Sequence, residues 1–296
     1  MIYFNNIIYM FGGIGINKSY KSFNDAIDFY LKNLKSFHFF NYGSNGIIFK
    51  AELKSSVDSP FISPLLKGVY VILIKCIRIS NEPTIIKKGN KEIRLNPVHK
   101  KNVEHEMKIQ QSLFLCGIKN GYRLAPCVLG KIKPLLLKKY VSNSILDQIY
   151  HDQDLQLICM ESIESDLHLT STRNKDLMLF VIVRGCQLLQ CGVMHGDFFE
   201  ENVLINNKDR EIMIIDFGYS EKVNPIKEIN VETTMKMIDM NLKALTARKS
   251  KSISTWLLRC KKIIENDPVK YMNAVNLVLS TKQTFHKEYL DSIKRI

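Results

Sequence analysis

Between residues 193 and 220 the chain reads V-M-H-G-D-F-F-E-E-N-V-L-I-N-N-K-D-R-E-I-M-I-I-D-F-G-Y-S. Asp197 and Asn202 lie on a polar turn that follows an apolar helical run. Asp216 ends the short apolar run I-M-I-I, which reads as a buried strand. Gly218 then allows a sharp turn. Two carboxylates and an amide at one edge could hold a divalent cation through hard oxygen ligands. The same set could orient a hydroxyl for attack on a phosphate.

Such groups need a scaffold, and several stretches supply its parts. Residues 173–192 read as a buried helix that stops at Gly192 and delivers the polar turn. Residues 69–78, V-Y-V-I-L-I-K-C-I-R, form a strongly apolar strand carrying one cation, Lys75, which needs a partner if buried. The helical run E-H-E-M-K-I-Q-Q-S-L-F-L (104–115) offers two carboxylates, Glu104 and Glu106. Upstream, F-N-Y-G-S-N-G-I-I-F-K-A (40–51) places Gly43 and Gly46 around a small polar pair, before a strand. An ordinary hairpin turn remains open there. Residues 155–167 alternate into a strand followed by an acidic connector, and 121–150 offer strand and turn material around Pro126 and Pro134. The basic stretch 87–101 contains Gly and Pro and reads as an exposed loop, either solvated or facing an acidic surface. Residues 12–19, G-G-I-G-I-N-K-S, nearly spell a phosphate-binding P-loop. Asn17 stands where its last glycine belongs, so strand, turn and a helix over 20–36 is the preferred reading.

H-G-D-x-x-x-x-N followed by D-F-G resembles the catalytic and metal-binding loops of the protein kinase-like superfamily. The resemblance covers roughly residues 40–245. It implies an α+β, two-lobed fold, with a small antiparallel N-lobe sheet, one key helix, and a trimmed, mainly helical C-lobe. The implied boundaries are an N-terminal extension over 1–39, an N-lobe over 40–163 and a C-lobe over 164–296. It also implies ATP and Mg²⁺, with Asp197 as the catalytic base and Asn202 and Asp216 on the metal. Lys75, held by Glu106, would position the nucleotide, covered by Gly43, Ser44, Gly46 and Ile48. Met160 would sit beside the adenine, with Glu161 to Ile163 offering backbone groups to its edge. His195, Gly218 and Asp239 would support the loops, Asp239 by anchoring the one that bears Asp197.

This chain departs from the family pattern at named positions. Gly196 replaces the arginine of H-R-D, Phe199 replaces the usual loop lysine, and Glu200 and Glu201 follow it. Asn41 stands at the first glycine position, and no A-P-E motif follows D-F-G. These features are more similar to RIO-type and other atypical kinases, and to aminoglycoside-type phosphotransferases. The expectation is an ATP- and Mg²⁺-dependent serine/threonine protein kinase of compact form. A small-molecule hydroxyl kinase and a weakly catalytic pseudokinase scaffold are the alternatives. The cations Arg248, Lys249, Lys251, Arg259, Lys261 and Lys262 favour an acidic or phosphorylated protein acceptor.

Composition sets outer limits. At 296 residues and 46% hydrophobic content, the chain can build a substantial core. A net charge of +13 points to an anionic partner, nucleic acid included, although no motif supports the latter. The seven cysteines contain no C-x-x-C pair and mostly lie in apolar runs, so they read as reduced core thiols without a metal-thiolate site. No apolar run reaches membrane-spanning length, and the N-terminal run lacks signal-peptide flanks. The expected location is therefore intracellular and cytoplasmic. Richness in Ile, Asn and Lys, with the trimmed kinase pattern, resembles the kinases of large DNA viruses.

Overall fold

A computed structural model describes residues 15–17, 19–62, 68–150, 154–163, 165, 174–206, 211–247 and 254–281. They form a mixed α+β structure with small antiparallel sheets and two compact units. One unit holds the described residues up to Met107 together with Cys127–Ser162. The other holds Lys108–Pro126 and the described residues from Ile163 onward. The P-loop-like residues 12–14 and 18, the cations Arg248, Lys249 and Lys251, and part of the acidic connector after Ile163 lie outside the described residues.

The first unit opens with β1 (Gly15–Ile16) and α1 (Phe23–Lys32), followed by β2 (Leu34–Gly43), β3 (Gly46–Leu53), β4 (Phe61–Ile62) and β5 (Val71–Arg78). The hairpin β6 (Thr84–Lys88) and β7 (Lys91–Leu95) precedes α2 (Lys100–Lys119). Then come β8 (Val128–Ile132), α3 (Pro134–Tyr140), α4 (Ser144–Ile149) and β9 (Leu155–Glu161). Its main sheet has five strands in the order β2-β3-β5-β9-β8, antiparallel throughout. Alternation explains β3: Ile47, Phe49, Ala51 and Leu53 are buried on one face. In α1, Ser22 caps the start by accepting the Asp25 N–H. Ala26, Ile27, Tyr30 and Leu31 form its buried stripe. The Tyr30 hydroxyl reaches the carbonyls of Ala51 and Tyr70 at 2.9 and 2.7 Å, which binds α1 to the sheet.

The second unit is built on α5 (Lys175–Gln190), started by the Asn174 side chain, which accepts the N–H groups of Asp176 and Leu177. Met178, Leu179, Val181, Ile182, Val183, Cys186, Leu188 and Leu189 of α5 are buried. They pack in one core with residues of α6 (Val231–Ala247), α7 (Ser254–Asn266) and α8 (Pro268–Ser280). Between α5 and α6 lie β10 (Val193–Met194), a 3₁₀ turn at Glu200–Asn202, β11 (Val203–Asn206), β12 (Glu211–Ile214) and β13 (Glu221–Lys222). No described helix is long and apolar enough to cross a membrane.

Four expectations are corrected here. The described residues within 1–39 do not stand apart as an extension, because α1 and the start of β2 are integral to the first unit, and the helix expected to 36 stops at Lys32. Residues 108–126, expected with the first lobe, belong to the second unit. Residues 87–101 are not a loop. Lys87–Leu95 complete a two-stranded hairpin, with Gly89 at φ 59° in its turn. Gly-Asn between two strand-like runs is itself a hairpin signal, masked by the density of lysines around it. Residues 134–149 form α3 and α4 rather than strand and turn; Pro134 starts α3, where a missing N–H costs nothing, and Asn143 caps α4.

The cysteines divide as well. Cys76, Cys127, Cys159, Cys186 and Cys260 are buried free thiols. Cys116 of α2 and Cys191, at the end of α5, are instead joined by a disulfide, with Cα atoms 6.0 Å apart. Spacing could not reveal a pair 75 residues apart that only helix packing brings together. A link closing so long a segment restricts the unfolded chain by about 4 kcal/mol in the chain-entropy account. Reduction, or Cys191→Ser, is therefore expected to lower the urea midpoint of the oxidised protein. Identical midpoints with and without reductant would show that the bond contributes nothing.

Candidate functional site

In the second unit, two short ladders place two loops side by side. β10 pairs with β13 through Val193↔Lys222 and Met194↔Glu221, and β11 pairs with β12 from Val203↔Ile214 to Asn206↔Glu211. Residues 195–202 lie between β10 and β11; residues 215–220 lie between β12 and β13. Asp197, Asn202 and Asp216 are thus carried on adjoining loops at the same end of β11–β12.

The loops are stitched together by hydrogen bonds. The Ile215 N–H donates to the Asn202 carbonyl at 3.0 Å. The Ile215 carbonyl, which can only accept, lies 2.9 Å from His195 Nε2, so that nitrogen carries the proton. His195 Nδ1 is then free of hydrogen and accepts the Asp197 N–H at 3.3 Å. Ser220 Oγ donates to the His195 carbonyl at 3.1 Å. His195 is 1% exposed, with its ring centroid 5.0 Å from that of Phe217. Its role is to hold the two loops together. Asn202 is buried, and its Nδ2 donates to the Asp197 carbonyl at 2.9 Å and approaches Asp197 Oδ2 at 3.5 Å. With its nitrogen turned to Asp197, the amide oxygen is the atom left to meet a cation.

Asp216 is the unusual residue of the set. It has φ 62°, and it is the one non-glycine residue with positive φ among those described. Its Oδ1 is buried and has no hydrogen-bond partner. A left-handed backbone and an unsatisfied carboxylate oxygen are both unfavourable, and both persist here because Ile215 is held on either side. An oxygen kept dry and without a donor suits a cation ligand. Gly218, expected to allow a sharp turn, does not use the positive φ open to glycine. The turn closes by Ser220 N–H to Phe217 O at 3.1 Å, in ordinary geometry. Among the described residues no group of three or more His, Cys, Asp or Glu is arranged around a metal position; the present set is two carboxylates and an amide.

Asp239 does not anchor the 195–202 loop. It is exposed on α6 and pairs with Lys261 at 2.6 Å. The anchor is Asn241: its Oδ1 accepts the Gly196 N–H at 3.1 Å, while its Nδ2 donates to the Met237 carbonyl at 2.9 Å. Helical period could have found it. Met237, Asn241 and Leu245 share the buried stripe of α6, and position 239 lies off it. Phe198 is fully buried, against Trp256 in a T-shaped contact, with centroids 5.6 Å apart. It also lies so close to Gly185 of α5 that a Cβ there would stand 2.8 Å from its ring. Phe199 and Glu200 are half-buried, and burial pushes the Glu200 carboxyl above the usual carboxylate range.

The first unit contains a second set of groups. Lys75 Nζ lies 2.6 Å from Glu106 Oε1, with the two side chains 12% and 9% exposed. Glu104 instead faces Lys131 at 3.5 Å on the surface. Gly43 and Gly46 are paired across the β2–β3 turn, with Ser44 and Asn45 at its tip. Gly46 is required by close approach: a Cβ there would stand 2.7 Å from the Cys76 carbonyl oxygen. Nothing lies within 4 Å of a Cβ at Gly43. Ile48 is the β3 partner of Lys75. Met160 and Glu161 end β9. The Glu161 N–H donates to the Cys127 carbonyl at 3.0 Å, and its Oε2 accepts the Cys127 N–H at 3.2 Å. Both the Glu161 N–H and its carboxylate are therefore committed to Cys127, so this N–H is not among the groups that residues 161–163 could offer to a ligand. Ile163, which belongs to the second unit, is half-buried.

A scan of the sequence against protein-family models finds no match.

Asp216→Gly is expected to raise the unfolding free energy by about 1 kcal/mol, because relief of the left-handed strain exceeds the backbone entropy of glycine. Thermal unfolding should shift up by roughly 2–4 °C; a lower Tm would mean that the side chain is stabilising. Asn241→Ala should cost about 1–3 kcal/mol by leaving the Gly196 N–H unsatisfied. Asp239→Ala, which removes only a surface pair, should stay within about 1 kcal/mol of the parent. Denaturant melts of both variants test the exchange of roles.

Proposed function

We propose that the chain is an ATP- and Mg²⁺-dependent phosphotransferase, a divergent serine/threonine protein kinase with a compact, two-lobed kinase-like fold. The observation that carries the reading is Asp216, held in a strained backbone with a buried oxygen lacking a donor. Neither feature favours the folded chain by itself, and a bound cation would compensate both. The Lys75–Glu106 pair supports the same reading. A part-buried ammonium 2.6 Å from one carboxylate would suit a polyphosphate as a point charge.

In this reading Asp216 and the amide oxygen of Asn202 hold the metal. Bound Mg²⁺ supplies neutralisation of phosphate charge and a template for in-line geometry. Asp197 accepts the proton of the acceptor hydroxyl. Its position is set through its own backbone, by His195 on its N–H and Asn202 on its carbonyl. Lys75 orients the phosphates, and Glu106 keeps that ammonium charged and in place. The 195–202 loop offers carboxylates, not cations, beyond Asp197. Charge stabilisation then rests on the metal and Lys75.

The test is transfer of label from γ-labelled ATP, with Mg²⁺, to protein acceptors and to a panel of hydroxylated small molecules. Protein labelling is expected. Asp197→Asn should reduce transfer by about 10²–10⁴ while nucleotide affinity stays near normal. Asp216→Ala should abolish the Mg²⁺-dependent part of nucleotide binding. Label on small molecules alone would move the assignment to a small-molecule kinase. Nucleotide binding with no transfer to any acceptor would leave a scaffold.

A further inference from the structure

The β6–β7 hairpin and the chain that follows it carry a marked excess of cations. From Thr84 through Lys101 the chain carries six cationic side chains, Lys87, Lys88, Lys91, Arg94, Lys100 and Lys101, against one carboxylate, Glu92. All seven are exposed, and none makes an ion pair within the described residues. Lys88 and Lys91 stand directly opposite each other across the ladder, an arrangement that repulsion disfavours. They are held there by aromatic rings. Lys88 Nζ lies 3.5 Å above the centre of the Phe39 ring and Lys91 Nζ 5.1 Å above that of Tyr42. On the other, exposed face Arg94 stands opposite Ile85 and Lys87 opposite Glu92, which leaves that face with two cations against one carboxylate.

The hairpin is also fixed in place. Gln148 of α4 accepts the Lys87 N–H at 2.8 Å and donates to the Lys87 carbonyl at 2.9 Å. The Asn96 N–H donates to the Ser44 carbonyl at 2.6 Å, joining the end of β7 to the β2–β3 turn. Ile86, Ile93 and Leu95 anchor its inner face in the core. A solvated lysine surface needs none of this ordering.

We propose that this hairpin is a docking surface for an acidic protein segment, a run of Asp, Glu or phosphoserine, on the acceptor. Charge complementarity decides the sign of the occupant. Two observations favour protein over nucleic acid. The Phe39 ring, which a base would have to stack on, already carries the Lys88 ammonium at 3.5 Å, and Lys91 stands over one face of Tyr42. Each strand is five residues long, about 16 Å, which suits a short extended peptide and not a nucleic-acid footprint. Binding of the acidic segment stands by itself; its role in bringing the acceptor rests on the phosphotransfer reading above.

The experiment is fluorescence anisotropy of the full chain, without nucleotide, using a labelled octapeptide of seven Glu and one Ser. A Gln counterpart and a single-stranded oligonucleotide serve as comparisons. The acidic peptide should bind, the Gln peptide should not, and affinity should fall as salt is raised. Lys87→Glu, Lys91→Glu and Arg94→Glu together should weaken the acidic peptide by at least about tenfold. The charge-matched set Lys227→Glu, Lys236→Glu and Lys243→Glu, on exposed lysines of the second unit, should leave it nearly unchanged. If the first set fails to fold, Lys87→Gln with Arg94→Gln alters only the outer face. Equal losses in the hairpin and control sets would overturn the proposal in favour of undirected charge. Tighter oligonucleotide binding that the hairpin set abolishes would overturn it in favour of nucleic acid. Peptide binding that maps to the hairpin in a protein that transfers no phosphate would uphold the surface and remove only its link to catalysis.

Discussion

Ile215 is held through both of its backbone polar groups: its N–H donates to the Asn202 carbonyl and its carbonyl accepts from His195. The rest of the second-unit site depends on this. A residue so fixed dictates the direction in which the chain leaves it, and the next residue, Asp216, accepts a left-handed backbone and a dry carboxylate oxygen as a result. Neither would survive in a loop free to relax. The same histidine orders Asp197 through its second nitrogen, so one neutral imidazole in one tautomer sets two carboxylates at once. The helices behind it serve this arrangement. α5 delivers the loop and α6 supplies Asn241 to hold Gly196.

The first unit solves a different problem. An ammonium in an apolar strand needs a counter-charge, and Glu106 provides it from α2. The pair is costly as a stabilising device, which is why it supports a functional reading more than a structural one. In the phosphotransfer reading proposed above, cation and carboxylates would supply the charge placement that this chemistry needs more than covalent participation.

Residue type and spacing single out Asp197, Asn202 and Asp216, and the structure carries all three on adjoining loops. A lone charge in an apolar strand calls for a carboxylate, and resemblance to the kinase pattern points to Glu106 over Glu104; the structure pairs Lys75 with Glu106. The misreadings have specific causes. Asp239 matches the family pattern by residue type, but helical period puts Asn241 on the buried stripe that reaches Gly196. Residues 87–101 read as a loop because lysine density hides a Gly-Asn turn between two short strands. Glycine at 218 marks a turn, whereas the left-handed backbone falls on Asp216, a residue type that gives no such signal.

Local chemistry along the chain determined which side chains could bind metal and phosphate, which strands were buried, and where α5 and its loop had to lie. Those properties depend on neighbours a few residues away, and periodicity records them. Tertiary structure alone decided the Cys116–Cys191 bond, the clamp on Ile215, the choice of Asn241, and the seating of Lys88 and Lys91 on aromatic rings. Each joins residues distant in sequence whose partners differ only by where packed elements bring them. No pattern along a single chain encodes that distance; the balance of burial, strain and hydrogen bonding in the folded state does.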